Sequence, residues 1–229
     1  MSDVQRKGEL LAEEHGFLGV PTKTFDEGGR RQIISLLREG LSPESKVLEI
    51  GMGPLRVAYW LIRLLDPQGY AGIEPHSGRV RWSAEALFPR DMLEHKQPRF
   101  DFNADFNTDV FDDKFDFFLA GSIWTHCAKH HIRTMLDGFV RNTVETGVFL
   151  VSYLPPRTED EEYWGETWVG TSHESNTPGI VRHSFAWIEA ECQARGLRVE
   201  EVPGHAFDSQ FWLKIMRQDV PDRPERITD

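Results

Sequence analysis

Residues 47–56 read VLEIGMGPLR: an apolar run, the acid Glu49, then Gly51 and Gly53 separated by Met52. Paired glycines at a turn let a ligand lie against the main chain, because a Cβ would block its approach or the turn needs φ > 0. A second acid, Glu74 in YAGIEP, follows roughly 20 residues on, where a doubly wound nucleotide fold places the carboxylate that accepts ribose hydroxyls. Glu49 suits a cationic ammonium group and would repel the pyrophosphate of a nicotinamide dinucleotide. The combination therefore points to an aminoacyl nucleoside.

Histidines supply the candidate proton-transfer chemistry, since an imidazole titrates near neutrality. His126, His130 and His131 cluster in THCAKHH. The i, i+4 pair suggests a metal site, but no third ligand stands at a recognisable spacing, so no metal is expected. His126 directly follows an apolar strand and is the candidate general base, with His183 and His205 as the other two candidates. Arg56 lies in a first helical turn, against the dipole, and is expected to pair with an acid or reach the substrate.

These residues need elements to hold them. KVLEI, YAGIE, RFDF, FDFFLAG, VFLVSYL, LRVEEV and QFWLKIM read as strands. Between them fall helices led by Asp26 as a cap and ended by Gly40, then Val57–Leu65, Ser77–Leu87, Ile132–Val144 closed by Gly147, and Ser184–Arg195. Residues between the Ser77–Leu87 helix and RFDF are poorly patterned. FDFFLAG is apolar on both faces and belongs at the sheet centre. LRVEEV and QFWLKIM are too close for a parallel crossover and should pair antiparallel. The expectation is an α/β fold: a doubly wound, mostly parallel seven-stranded sheet with an antiparallel C-terminal strand, ligands docking at the carboxyl ends.

One domain over 1–217 is expected, with an N-terminal helical extension (1–40), a candidate lid (155–178) and a loose tail (218–229). The lid holds Trp164 and Trp168 among acids and hydroxyls, which suits a polyhydroxylated or aromatic acceptor. A net charge of −11 argues against nucleic acid. Cys127 and Cys192 form no metal or disulfide pattern. No leader or membrane-length apolar run is read, so the cytosol is the expected location.

VLEIGMGPLR, YAGIEP and FDFFLAGSIWTH, in this order, resemble the class I S-adenosylmethionine-dependent methyltransferases, and most of all a bacterial branch acting on small molecules and saccharides. The resemblance runs from about Lys46 to Arg217. It implies that Glu49, Gly51, Met52 and Gly53 hold the methionine part of the cofactor, and Glu74 with Pro75 the ribose. Asp105, with Asn103 as fallback, would lie near the adenine amino group, and Gly121 and Ser122 beside the transferring methyl. Leu55 stands where the family loop usually has a third glycine. The function implied is S-adenosylmethionine-dependent methylation of a small molecule, O-directed if a base is used, with Trp164 and Trp168 at the substrate. The alternatives are a binding or scaffold subunit without catalysis, and an NAD-dependent oxidoreductase.

Overall fold

The apolar run 115–120 lies at the centre of the sheet. Its side chains alternate between two cores: Phe117 and Leu119 join one face, Phe118 and Ala120 the other. A strand buried on both faces has no position for a polar residue to reach water, which explains its unbroken apolar character.

The computed structural model describes residues 1–171, 178–203 and 209–221. The strands β1 (Val47–Ile50), β2 (Tyr70–Ile73), β3 (Arg99–Asp101), β4 (Phe115–Ala120), β5 (Thr143–Tyr153), β6 (Leu197–Glu201) and β7 (Phe211–Arg217) make one seven-stranded sheet, ordered β3-β2-β1-β4-β5-β7-β6. β1 to β5 pair in parallel, and β7 runs antiparallel to both β5 and β6. Helices α1 (Asp3–His15), α2 (Phe25–Arg38), α3 (Ala58–Leu64) and α4 (Ser77–Leu87) cover one face through residues such as Leu11, Leu36, Leu61 and Val80. After α5 (Arg90–Lys96), helices α6 (Lys129–Asn142) and α7 (Phe185–Gln193) cover the other face through Ile132, Phe139 and Ile188. Each fully buried Phe or Leu in these layers is worth about 1.5–3 kcal/mol.

Three local expectations are corrected. Asp26 does not cap α2: the helix already starts at Phe25, and the Asp26 carboxylate accepts from Ser2 Oγ at 2.6 Å and Arg30 Nε at 3.0 Å. Gly147 does not close α6; the helix ends at Asn142, and Gly147 lies inside β5. Thr143 makes this switch by donating its hydroxyl to Phe139 O at 2.6 Å, after which β-branched Thr143 and Val144 favour extended backbone. The stretch without a pattern contains α5, a seven-residue helix with no fully buried residue, whose Met92 and Leu93 alone pack on the core and are too few to show a period. Gly40 does end α2: its N–H donates to Leu37 O and that of Leu41 to Leu36 O, a glycine C-cap.

Among the described residues no helix is long and apolar enough to cross a membrane. Residues 172–177 of the candidate lid, His205, and residues 222–229 of the tail lie outside the described residues.

Candidate functional site

The chain leaves β1 into a loop whose backbone is set by Gly51 (φ +75°) and Gly53 (φ +50°). A Cβ on Gly51 would lie 2.1 Å from Ile123 Cδ1, so glycine is required there both by conformation and by space. Leu55 keeps the same left-handed backbone (φ 58°) while its side chain is wholly buried. A residue with a Cβ thus holds the left-handed conformation at this point of the loop. Phe106 (φ 59°) and Ser122 (φ 59°) are also left-handed, and both line the cleft that opens beside this loop. Strained backbone gathered at one concave surface is a mark of a functional site.

The cleft is open at its mouth and lies at the carboxyl ends of β1, β2 and β4, where a doubly wound sheet takes its ligand. Of the residues singled out in the sequence, Gly51, Gly53, Glu74, Pro75, Gly121, Ser122, His126 and Trp168 line it, together with Asn103 and Arg56. Glu74 is tied into the β1 loop. Its Oε2 accepts from Gly53 N at 3.1 Å, while Oε1 accepts from His76 N at 3.1 Å and Arg79 Nη1 at 3.4 Å.

Other singled-out residues sit elsewhere. Glu49 is buried beneath the loop and accepts from the Tyr70 hydroxyl at 2.7 Å. Burial pushes its pKa up to about 8, against the pull of the Tyr70 bond and the Arg56 charge. Met52 is buried too, its sulfur packed over Gly72. Asp105 is exposed and accepts from Asn107 N at 3.3 Å, away from the cleft lining. Asn103 does line the cleft, but its side-chain amide is engaged with Asp101 Oδ1 and Asn107 O. Trp164 stands 71% exposed in a separate shallow pocket with Thr158, Glu162 and Ser184. The Lys129 ammonium, paired with Glu162, lies 4.4 Å from the Trp164 ring centre and 3.8 Å from that of Trp187.

His126 is half-buried in the cleft wall, stacked on Trp168 with ring centres 5.4 Å apart. Its Nδ1 pairs with Val169 O at 2.7 Å, and Val169 N donates back to His126 O at 2.9 Å. Burial lowers its pKa, opposed by the Val169 and Gly179 carbonyls, which keeps the imidazole neutral near pH 7. With Nδ1–H donated to a carbonyl, the lone pair for accepting a proton is on Nε2.

His183 is buried, bonded through Nε2 to Cys127 O at 2.9 Å, and driven down to about 4 chiefly by burial. It is not part of the cleft lining. His126 precedes the start of α6 at Lys129, so it shares no helical face with His130. His131 instead accepts from Ala128 N at 3.2 Å, capping the helix. Among the described residues no group of three or more His, Cys, Asp or Glu could hold a metal ion.

Sequence reasoning missed the segment Leu18–Pro21, which walls the cleft from the N-terminal side, and also Arg79, Phe106 and Ile123. Phe106 and Arg79 had a usable signal, each lying within five residues of an acid already singled out. Leu18–Pro21 had none, since only the packing of α1 and α2 on the sheet brings it there.

The strand order, the single antiparallel strand β7 and the cleft at the carboxyl ends of β1, β2 and β4 are those of the class I S-adenosylmethionine-dependent methyltransferase fold. DesVI from Streptomyces venezuelae is similar at 15% identity, covering 95% of this chain and 99% of that one, with a TM-score of 0.63. Magnesium protoporphyrin IX methyltransferase from Synechocystis, with bound S-adenosylmethionine, is similar at 13% identity, 95% and 98% coverage and a TM-score of 0.60. An S-adenosylmethionine-dependent methyltransferase from Clostridium acetobutylicum follows at 11% identity, 93% and 98% coverage and a TM-score of 0.60. Likeness at these identities is one of fold. No family model and no curated protein matches the sequence.

Proposed function

We propose that this chain is an S-adenosylmethionine-dependent methyltransferase that O-methylates a neutral small molecule, saccharide-like or aromatic, in the cytosol. The observation that carries the reading is Glu74, buried at the end of β2 and bonded to the Gly53 amide, lining the cleft at the carboxyl ends of the strands in a methyltransferase fold. The donor set fits the cofactor. Glu74 would accept the ribose hydroxyls, the open backbone at Gly53 would receive the chain beyond the ribose, and Asn103 with Phe106 would border the adenine. Gly121 and Ser122 border the reacting end, while Glu49, buried on Tyr70 below the loop, does not line the cleft.

When bound, the cofactor supplies a methyl group on a sulfonium, to be displaced in line. The protein's part is then alignment and exclusion of water. Leu18–Pro21 and Trp168 wall the cleft from two sides. His126, neutral and with Nε2 available, would take the proton of an acceptor hydroxyl. Antiparallel β7 inserted between β5 and β6 departs from the all-parallel order of a nicotinamide dinucleotide domain.

Isothermal calorimetry tests the reading: S-adenosylmethionine and S-adenosylhomocysteine should bind and NAD should not. Tight NAD binding with neither nucleoside bound would sink it.

A further inference from the structure

The strand order lays the proposed ligand out across the sheet. Asn103 and Phe106 follow β3, Glu74 ends β2, Gly51 and Gly53 follow β1, and Gly121 and Ser122 follow β4, so the sequence from adenine to reacting methyl runs β3, β2, β1, β4. Beyond β4 the acceptor must approach. Ser122, Ser152 and Gln210 meet there and spend their polar groups on one another: Ser122 N donates to Ser152 Oγ, Ser152 Oγ to Gln210 Oε1, and Gln210 Nε2 to Ser122 Oγ, each at 2.7 Å.

One polar side chain at this end is not so engaged. Gln32, on α2, is only 4% exposed, and among the described residues its amide has no hydrogen-bond partner. It lies directly against Gly121. A Cβ at 121 would stand 2.6 Å from Gln32 Oε1 and 3.4 Å from Nε2, so the absence of a side chain on Gly121 is what admits the amide. At 4% exposure the amide has little water around it, and a ligand hydroxyl that bonds to it adds to binding.

We propose that Gln32 is a specificity-determining residue for the methyl acceptor, presenting its amide to a neutral hydroxyl beside the reacting atom. This rests on the methyltransferase reading and narrows it. An amide offers one donor side and one acceptor side without charge. A hydroxyl, which both donates and accepts, uses both; a carboxylate uses only the NH₂ and an ammonium only the carbonyl oxygen.

The test uses phenol and toluene, which differ by the hydroxyl, titrated into the S-adenosylhomocysteine-loaded protein with ligand-observed NMR. The parent should prefer phenol by about three- to tenfold, the worth of one net hydrogen bond. Gln32→Leu and the closer-shaped Gln32→Met should bring the two ligands within about twofold while the calorimetric Kd for S-adenosylhomocysteine stays unchanged. A phenol preference that survives in the variants, or is missing in the parent, overturns the role of Gln32. If both variants fail to fold, Gln32 is a packing residue and the proposal is equally overturned. If S-adenosylhomocysteine does not bind the parent, it is the methyltransferase reading that fails.

Discussion

Gly53 N donates to Glu74 Oε2 at 3.1 Å, so the loop after β1 and the end of β2 are fixed to each other before any ligand arrives. Glu74 is thus a strut of the loop, and in the proposed reading it is also the acceptor for the ribose hydroxyls. Replacing it with Ala should weaken S-adenosylhomocysteine binding by roughly 1.5–3 kcal/mol, the range for hydrogen bonds to a charged group. Glu74→Gln, which keeps one acceptor oxygen, should lose less. Calorimetry on both variants checks the order, and unchanged binding in Glu74→Ala removes the ribose assignment.

Glu49 makes stability depend on pH. Its folded pKa of about 8 lies above the ordinary 4.5, so between those values the native state holds a proton that the unfolded chain has lost. Stability from this group is present below about pH 4.5 and is lost as pH rises through 8. Glu49→Gln removes the titration while keeping an acceptor for Tyr70. The variant should gain on the parent from pH 5 to about pH 8, by about 1–3 kcal/mol, and the difference should level off above that. Urea unfolding across that range measures it; a constant difference refutes the assignment.

Leu55 should reverse a usual ranking. At an ordinary position Gly is less stable than Ala by about 0.5–1 kcal/mol, but a left-handed backbone costs a residue with a Cβ about 1–2 kcal/mol. Both Leu55→Ala and Leu55→Gly lose a fully buried side chain, a loss of about 2–5 kcal/mol. The Gly variant should nevertheless be at least as stable as the Ala variant in urea.

Much of this was legible in the primary structure and some was not, for physical reasons. FDFFLAG announced a central strand because burial on both faces leaves a composition that nothing else produces. Gly51, Gly53 and Glu74 were legible because a strand-to-helix turn and a strand end have fixed spacing. Arg90–Lys96 was not, since a seven-residue helix with only Met92 and Leu93 packed on the core is too short to show a periodic stripe. Trp164 and Trp168 looked alike in sequence, yet only the fold decides that one lines the cleft and the other stands 71% exposed. Asp105 and Asn103 differ by two positions in a tight loop, and the turn's hydrogen bonds determine which faces inward.

That difference gives a measurable split. Trp168→Ala should weaken S-adenosylhomocysteine binding several-fold, because Trp168 forms cleft wall against His126 and Phe106. Trp164→Ala should leave it within about twofold, the scatter of an uninvolved surface site. Equal losses would mean that the loop acts on the fold as a whole.

His126→Ala should leave the melting temperature within a few degrees yet lower kcat on a hydroxyl acceptor by about 10² to 10⁴. The deficit should shrink as pH rises and the acceptor ionises by itself. Unfolding and single-turnover rate measured on one preparation distinguish this from a packing role, in which stability falls and turnover per folded molecule persists.

The two hydrogen bonds exchanged between His126 and Val169 link the position of Val169 to the proton occupancy of the imidazole. Any departure of Val169 from His126 breaks both bonds and returns the ring to water, where the depression caused by burial disappears. Protons taken up below about pH 6.5 therefore favour departure, and docking of Val169 expels them. Acidity and access to the cleft are in this way read by one ring, whose hold on a proton is weakest when the wall beside it is in place.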